Sequence, residues 1–396
     1  MLRCNPAHPG RWNPFLVTRR QFAQGIATGT FLSAFATAPR AQGLGTDYDV
    51  IIVGAGVAGL AAARRLAVTD RELKVLVLEA RDRIGGRVYS VKHDDLLRDA
   101  ELGASTLLHP MGGDWPVIDE LGLDVESLPD GHATLFPGMR ALATALAEAS
   151  SGTVQLNSEV TEIFWREGLV GVKYDNRGLS SAVTARRLIV TLPPAVLRRG
   201  GVTISPELET AKQGALAGAE MESLLSCAMV FPADKLALAG EGDVWVQQSD
   251  TTHLRAFRTG MAGEVLLEAQ YLGQRASLLS QQSEEIVLSL ALRAFEEAVQ
   301  SLPAVGERSW GAVVDWGSEP FSGGARTVPG STSLHLDLAE SQGDTIFFAG
   351  EATAEPELVG TVHGAYASGE RVGKEVATSL GLGAAEETAE TLFELL

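Results

Sequence analysis

The sequence predicts an α/β fold built on a parallel β-sheet, and three stretches of the chain carry that prediction. Residues 49–53 form an apolar run of buried-strand type, followed by a glycine-rich turn and a helical stretch at 60–67. A second buried strand, 74–78, comes next, and another strand followed by a helix, 345–369, lies near the other end of the chain. Strands that alternate with helices are typical of parallel α/β sheets.

The composition is that of a globular protein large enough for two or three domains. The chain has 396 residues, of which 45% are hydrophobic and 21% are charged, so disordered and low-complexity classes are excluded. Its formal net charge is −18 and the body of the chain has no basic cluster, which argues against nucleic-acid binding. Cys4 and Cys227 match no metal or redox spacing, so neither a disulfide framework nor a metal site is predicted.

The first 41 residues differ in charge from the rest and resemble a bacterial twin-arginine export signal. They contain five arginines and no acid, and the pair Arg19 and Arg20 precedes a mildly apolar stretch at 23–38. That stretch is too short and too weakly apolar for a membrane span. The resemblance predicts a signal peptide over 1–41 and a periplasmic protein, with a mitochondrial presequence or a disordered tail as the alternative.

The turn after the first strand has the spacing of a dinucleotide-binding loop. It reads GAGVAG at 54–59, where Gly54 permits the tight turn, Gly56 lets a pyrophosphate approach the backbone and Gly59 lets the helix pack on the strand. The start of the helix presents free N–H groups to the phosphates. Glu79, at the end of the second strand, stands where an acid accepts hydrogen bonds from an adenosine ribose.

A second glycine turn follows and points to one dinucleotide. Residues 79–87 read EARDRIGGR, in which Gly85 and Gly86 expose N–H groups to an anion and the flanking arginines offer charge-assisted hydrogen bonds to a diphosphate. Here the sequence resembles the flavin-containing amine oxidase family, which includes monoamine oxidases, polyamine oxidases, flavin-type histone demethylases and L-amino-acid oxidases. In that family the second turn binds FAD.

Further segments extend the resemblance over about residues 47–376. The pair Gly350 and Glu351 ends a strand, and 360–369 opens a helix whose positive end would stabilise negative charge on the reduced flavin. The strand at 155–163 resembles the one whose backbone holds the adenine. The resemblance implies that FAD is bound by Gly54, Gly56, Ala58, Gly59, Glu79, Ala80, Arg81, Gly85, Gly86, Arg87, Val160, Gly350, Glu351, Thr361 and Val362.

The matching segments alternate with others, so the predicted domains are interleaved. A Rossmann-like FAD-binding domain takes 45–105, 134–200 and 335–380, and a smaller, shortened α+β substrate domain takes 106–133 and 201–334. An acidic tail, 381–396, ends the chain. The substrate domain is expected to be short because family members usually hold a long helical insertion before the segment that resembles Gly138.

The residues expected near the substrate depart from the family pattern. Many members hold a lysine near flavin N5, at the position of Ser226, and monoamine oxidases place an aromatic pair at the positions of Arg326 and Thr361. Arg326 and Thr361 are therefore the predicted substrate-side catalytic positions. A guanidinium repels a cationic amine and suits a carboxylate, so Arg326 favours a substrate that carries a carboxylate. Ala325 stands where monoamine oxidases bond a cysteine to the flavin, so FAD is expected to be noncovalent.

The resemblance implies hydride transfer from an amine-bearing carbon to flavin N5, followed by imine hydrolysis and reoxidation by oxygen or another acceptor. The expected partners are a small-molecule amine or amino-acid-like substrate and an electron acceptor or partner subunit. Two alternatives stay open. One is a flavin desaturase or dehydrogenase of a non-amine substrate, and the other is an exported FAD-binding subunit with little activity.

Overall fold

A computed structural model describes residues 45–107, 115–232, 244–258, 264–298 and 308–382. The chain divides into the units Met1–Gly45 and Thr46–Leu396, and of the first unit only Gly45 is described. The predicted signal peptide, 1–41, therefore lies outside the described residues, as do residues 383–396 of the predicted acidic tail.

The described residues form nineteen strands and nine α-helices. The strands in chain order are β1 Tyr48–Val53, β2 Val75–Leu78, β3 Ser90–Val91, β4 Ala100–Glu101, β5 Asp124–Ser127, β6 Ala133–Phe136, β7 Thr153–Gln155, β8 Ser158–Arg166, β9 Leu169–Asn176, β10 Leu179–Val190, β11 Thr203–Ser205, β12 Met221–Glu222, β13 Leu224–Phe231, β14 Val244–Gln248, β15 Thr252–Arg258, β16 Val265–Leu272, β17 Trp310–Asp315, β18 Arg326–Thr327 and β19 Ile346–Phe348. The helices are α1 Val57–Thr69, α2 Pro116–Glu120, α3 Arg140–Glu148, α4 Pro194–Arg198, α5 Thr210–Gly218, α6 Gly273–Leu279, α7 Glu284–Ala298, α8 Thr332–Ala339 and α9 Val362–Ser379.

The larger sheet has a parallel centre and an antiparallel extension. Its order is β11-β8-β9-β10-β1-β2-β7, with β19 beside β10. Strands β10, β1, β2, β7 and β19 run parallel, whereas β8, β9 and β10 pair antiparallel. The parallel strands end level with one another, since Val53 pairs with both Leu78 and Val190. The predicted α/β class is confirmed, and the loops that follow these strand ends meet at one edge of the sheet.

The second sheet is antiparallel, with the order β14-β15-β16-β13-β17. One face packs on α6 and α7 through apolar residues that occupy alternate strand positions, among them Leu254, Leu267 and Tyr271. The opposite face carries polar groups, among them Arg255 and Gln270. All five strands fall within the stretch 201–334 that the sequence assigns to the substrate domain, while the domain boundaries themselves stay predictions.

Helices α1 and α9 pack at close range. A Cβ atom built on Gly369 would lie 2.3 Å from the carbonyl oxygen of Ala58, so only glycine allows this approach. The contact brings the N-terminal end of α9 next to the turn between β1 and α1. Two segments from opposite ends of the sequence thereby reach the same edge of the larger sheet.

Among the residues that the structure describes, no helix combines the length and the apolar character that crossing a membrane requires. Within the same ranges, no three His, Cys, Asp or Glu side chains are grouped closely enough to hold a metal ion.

Candidate cofactor and substrate site

The two glycine turns are joined by a backbone hydrogen bond. The N–H of Gly85 donates to the carbonyl of Ala55 at 2.8 Å, and the N–H of Gly54 donates to Leu78 at the end of β2 at 2.8 Å. Gly54 and Gly85 have φ values of +106° and +94°, which other residues rarely adopt. The turns therefore form one continuous backbone surface at the ends of β1 and β2.

Gly56 and Gly59 serve different purposes in the first turn. A Cβ atom on Gly59 would lie 2.0 Å from the carbonyl oxygen of Gly54, so Gly59 lies at the close contact between α1 and the turn. Gly56 has ordinary extended backbone, with φ −74° and ψ 177°, and its Cβ position has no neighbour within 4 Å. The absence of a side chain at Gly56 thus leaves open space in front of the start of α1.

Glu79 presents a carboxylate at this surface. It is only 3% exposed, and its oxygens accept hydrogen bonds from the backbone N–H groups of Ala55 at 2.8 Å and Arg81 at 3.0 Å. Its Oε1 also accepts from the Arg81 Nη1 at 3.4 Å, so of the roughly four acceptor positions of a carboxylate about one remains for a ribose hydroxyl group. The backbone N–H groups fix the direction in which that capacity points.

The arginines of the second turn already have partners from distant parts of the chain. Arg81 donates to the carboxylate of Glu319 at 2.6 and 3.2 Å, and Arg87 donates to Glu351 at 2.6 Å. Arg83 donates to carbonyl groups of its own turn and lies over the ring of Tyr89, and burial lowers its pKa. The expectation that these arginines supply diphosphate contacts stays a prediction, since Arg81 and Arg87 line the groove as well as binding carboxylates. Backbone N–H groups at the start of α1 would offer further donors to a diphosphate.

Glu351 joins three segments at the other end of this surface. It is 5% exposed, and besides Arg87 it accepts hydrogen bonds from the Thr327 hydroxyl at 2.9 Å and the Gly360 N–H at 3.0 Å. The neighbouring Gly350, with φ +142°, donates its N–H to the Ser368 hydroxyl in α9 at 2.9 Å. This carboxylate therefore holds the loop before α9 against the second glycine turn.

A groove runs between these groups. Of the residues predicted to bind FAD, it is lined by Gly54, Gly56, Ala58, Glu79, Ala80, Arg81, Gly85, Gly86, Arg87, Gly350, Glu351, Thr361 and Val362. Gly59 lies instead in the contact beneath the turn, and the Val160 side chain is buried in the core of the larger sheet. Open backbone at Gly56, a row of N–H donors and a directed carboxylate fit an adenine dinucleotide.

A cavity of about 250 Å³ adjoins the groove and shares residues of its lining, including Ala104, Ala325 and Val362. The other lining groups are mostly polar, namely Ser105, Thr106, Asp130, His132, Glu222, Gln248, His253, Arg255, Gln270 and Arg326. A molecule in the cavity would therefore meet a ligand of the groove through the shared wall.

The two predicted catalytic side chains line this cavity, and each already has a hydrogen-bond partner. Arg326 is 53% exposed, and its Nε donates to Glu222 at 2.5 Å. The Thr361 hydroxyl accepts from the Gly364 N–H at 2.9 Å and donates to the Leu358 carbonyl at 2.7 Å, so it caps α9. Their role as substrate-side catalytic positions stays a prediction.

Ser226, at the position where many family members hold lysine, lies in β13 and is fully buried. Its hydroxyl has no hydrogen-bond partner among the described residues, and it is not part of the groove or cavity lining. Serine there brings no charge to the site.

The polar face of the second sheet, which the sequence analysis did not single out, holds the wall of the cavity. Gln270 donates to the Gly103 carbonyl at 2.7 Å, Arg255 donates to the Ser105 carbonyl at 3.0 Å, and the Trp316 indole donates to Leu102 at 2.8 Å. The signal was present in the sequence, because charged and amide residues interrupt the otherwise apolar strands β15 and β16. The alternation of residues along a strand does not by itself show which other segment of the chain these polar side chains bind.

His253 lies on the same face and lines the cavity. Burial lowers its pKa, and the nearby Arg255 and Arg326 lower it further. The imidazole is therefore uncharged near neutral pH. It adds no positive charge that would repel a cationic molecule in the cavity.

Two buried carboxyl groups lie behind this wall. Glu101 and Glu268 are 2% and 1% exposed, and the N–H of Glu101 donates to Glu268 at 2.6 Å. Burial raises the pKa of Glu268, and Arg255, 2.8 Å from its other oxygen, opposes that shift. Burial and the neighbouring Glu268 raise the pKa of Glu101 to about 8, so Glu101 holds a proton at neutral pH.

This proton predicts how stability changes with pH. Between pH 4.5 and 8 the unfolded chain releases the Glu101 proton while the folded chain keeps it, so stability falls as the pH rises. We expect Glu101→Gln to remove this loss and to raise the free energy of unfolding at pH 8 by about 2–4 kcal/mol. Urea titrations from pH 5 to 8 measure the free energy of unfolding. The control is Glu162→Gln, which changes a partly exposed carboxylate that pairs with Lys173. Equal pH slopes for Glu101→Gln and the unmodified chain would contradict it.

Comparison with known families agrees with this geometry. The family model for flavin containing amine oxidoreductases matches residues 128–377, more than half of the chain, and the NAD(P)-binding Rossmann-like domain model matches residues 52–121. A cyclohexylamine oxidase from Brevibacterium oxydans superimposes with a TM-score of 0.69 at 17% identity, over 85% of this chain and 100% of that one. A putrescine oxidase variant gives 0.65 at 18% identity, over 84% and 99%. These two structures show that the fold is shared.

Sequence relatives lie in the same family. The Arabidopsis thaliana lysine-specific histone demethylase 1 homolog 2 is 26% identical, over 84% of this chain and 59% of its own length. Polyamine oxidase 2 of Arabidopsis thaliana is 28% identical, over 62% and 48%. The chain thus spans about half to three fifths of the length of these two relatives. At Ala325 no side chain is available for a covalent flavin bond, so the cofactor is held noncovalently. The chain belongs to the flavin-containing amine oxidoreductase family, and its cofactor is FAD.

Proposed function

We propose that this chain is an FAD-dependent oxidoreductase of amine oxidase type that takes a hydride from an amine-bearing carbon of a small molecule. The observation that carries the proposal is the continuity of groove and cavity, which share Arg87, Ala104, Ala325, Gly360, Thr361 and Val362. A substrate in the cavity would therefore reach the end of the groove that lies at the start of α9.

When bound, FAD supplies the hydride acceptor at its N5 atom, and the chain supplies position and electrostatics. Backbone N–H groups of the glycine turns and the start of α1 would hold the diphosphate, and the Glu79 carboxylate would accept a hydrogen bond from the ribose. The N-terminal end of α9 directs its partial positive charge toward the shared wall, where it would stabilise negative charge on a reduced flavin. The cavity positions the carbon and its hydrogen and limits the access of water.

A substrate screen tests the proposal. Purified FAD-loaded protein is incubated with monoamines, diamines and amino acids, and both peroxide and the reduction of an artificial acceptor are measured. Turnover of an amine with either readout supports the proposal. Flavin reduction only by non-amine substrates would favour a desaturase or dehydrogenase, and no reduction by any substrate would favour a cofactor-binding subunit.

The cavity charges bear on the class of amine. Arg326 is half exposed and already paired with Glu222, so its attraction for a substrate carboxylate is weaker than the sequence alone implies. The Asp130 carboxylate also lines the cavity, and one of its oxygens lies 3.3 Å from the His132 Nδ1. These charges favour a simple amine or a diamine over an amino-acid-like substrate.

We expect Arg326→Ala to change kcat/KM for an uncharged-tail monoamine by less than about fivefold, because an exposed ion pair contributes up to about 1 kcal/mol. Turnover of diamines should increase relative to monoamines, since Glu222 then lacks its cationic partner. Glu222→Gln is the matched variant and should shift the ratio the opposite way. A loss of more than thirtyfold that is confined to amino acids would restore the carboxylate assignment.

We also propose export to the periplasm by the twin-arginine route, which the residue pattern at Arg19 and Arg20 supports. The transporter would read the paired guanidinium groups, whose planar form lysine does not reproduce. Arg19→Lys combined with Arg20→Lys should retain the precursor in the cytoplasm with normal FAD content. Unchanged recovery from the periplasm would exclude this route.

A further inference from the structure

The segment 319–325 follows β17 and supplies part of the groove lining. We call this segment the strap. Phe321, Ser322 and Ala325 line the groove together with the two glycine turns. The strap lies more than two hundred residues away in sequence from those turns. It is therefore a separate piece of chain that closes the cofactor site.

Two arginines of the second glycine turn reach the strap at different points. Arg81 binds the Glu319 carboxylate with Nε and Nη2, at 3.2 and 2.6 Å, and also donates to the Ser322 hydroxyl at 2.9 Å. Arg87 donates to the Ala325 carbonyl at 3.0 Å. Both ends of the strap are thus attached to the same turn.

The contact between Arg81 and Glu319 is a charge-assisted, bidentate ion pair. Such a pair is stronger than a neutral hydrogen bond, and its two hydrogen bonds add directional specificity. The side chains are 12% and 20% exposed, so water screens the pair less than it screens a surface pair. Arg81 is also 3.4 Å from Glu79, the acid positioned for the ribose, so the pair lies beside the adenosine end of the groove.

Most of the hydrogen-bonding capacity of Arg81 is used by these contacts. Nε and Nη2 are engaged by Glu319 and Ser322, and Nη1 contacts Glu79. The Arg81 guanidinium thus makes most of its hydrogen bonds with the strap, which leaves little capacity for an anion in the groove. Its partner Glu319 has no counterpart in the two glycine motifs that define the site from sequence.

We propose that the Arg81–Glu319 pair is a cofactor-retaining clasp, in which Glu319 and Ser322 hold the strap over bound FAD. FAD leaves when the pair separates and the strap moves. The pair therefore sets the rate of FAD dissociation, and it does so whatever substrate the enzyme oxidises.

The test measures release of FAD from purified, FAD-loaded protein after dilution, followed by the increase in flavin fluorescence. Glu319→Gln keeps the size of the side chain but removes the charge, and we expect FAD to dissociate about ten- to thirtyfold faster. Ser322→Ala removes one hydrogen bond and should accelerate release about threefold.

The matched control is Glu285→Gln, which breaks an exposed ion pair with Arg308 outside the groove lining and should leave the release rate unchanged. Thermal unfolding of the FAD-free proteins separates retention from folding. An unchanged release rate in Glu319→Gln would overturn the proposal. So would a loss of FAD-free stability in Glu319→Gln that exceeds the loss in the control, because the pair would then support the fold.

Discussion

Gly56→Val is expected to yield a folded protein that binds FAD at least about a hundredfold more weakly. The backbone at Gly56 is extended and its Cβ position has no protein neighbour within 4 Å, so the fold accepts a side chain there. That same space lies in front of the start of α1, where the pyrophosphate approaches the backbone. A branched side chain would separate the phosphates from the N–H donors, and about 3 kcal/mol lost corresponds to more than a hundredfold in affinity.

FAD titration of the FAD-free variant, followed by flavin fluorescence, measures this loss. Gly214→Val is the matched control, because Gly214 in α5 also has open space at its Cβ position but lies outside the groove lining. Both variants should unfold within a few degrees of the unmodified FAD-free protein. A yellow Gly56→Val protein with normal FAD content would refute the assignment of this space to the cofactor.

The cofactor half of the site is predictable from sequence because its requirements are local. A tight turn, a close helix contact and an acid at a strand end each demand a particular residue at a fixed spacing, as at Gly54, Gly59 and Glu79. The structure places these residues at one edge of the sheet. The same local logic correctly predicted β1 and α1 on either side of the first turn and β2 before the second.

The partners of the arginines could not be predicted in this way. Arg81 meets Glu319 and Arg87 meets Glu351, and each pair joins segments more than two hundred residues apart. An arginine next to a glycine turn suits a diphosphate in isolation. Only the folded chain shows that carboxylates from distant loops compete for it.

The substrate side was hardest to predict because it depends on which faces of two separate elements meet. The sequence offers Arg326 as an unpaired charge, whereas β12 and β18 pair antiparallel and bring Glu222 directly opposite. Thr361 caps α9, a role that follows from its position one residue before the helix. A family alignment indicates which position of the chain lies near the substrate. It does not show which other groups the side chain at that position already contacts.

Glu351→Ala is expected to have the largest effect on stability, a loss of about 3–5 kcal/mol in the free energy of unfolding of the FAD-free protein. The change leaves the Arg87 guanidinium without an acid partner in a mostly buried position, and breaking such a pair costs this much. It also leaves the Thr327 hydroxyl and the Gly360 N–H without their acceptor. Urea unfolding, followed by far-UV circular dichroism, measures the loss.

A double-mutant cycle shows whether the stranded charge causes that loss. Arg87→Met combined with Glu351→Ala removes the unpaired cation, so the double variant should be more stable than Glu351→Ala alone, even though it lacks more contacts. Glu351→Gln removes the charge but keeps one acceptor oxygen, so it should lose less stability than Glu351→Ala. If the losses of Glu351→Ala alone and Arg87→Met alone simply add in the double variant, Glu351 acts through the Thr327 hydroxyl and the Gly360 N–H. The tie to the second glycine turn then contributes little to holding the loop before α9 in place.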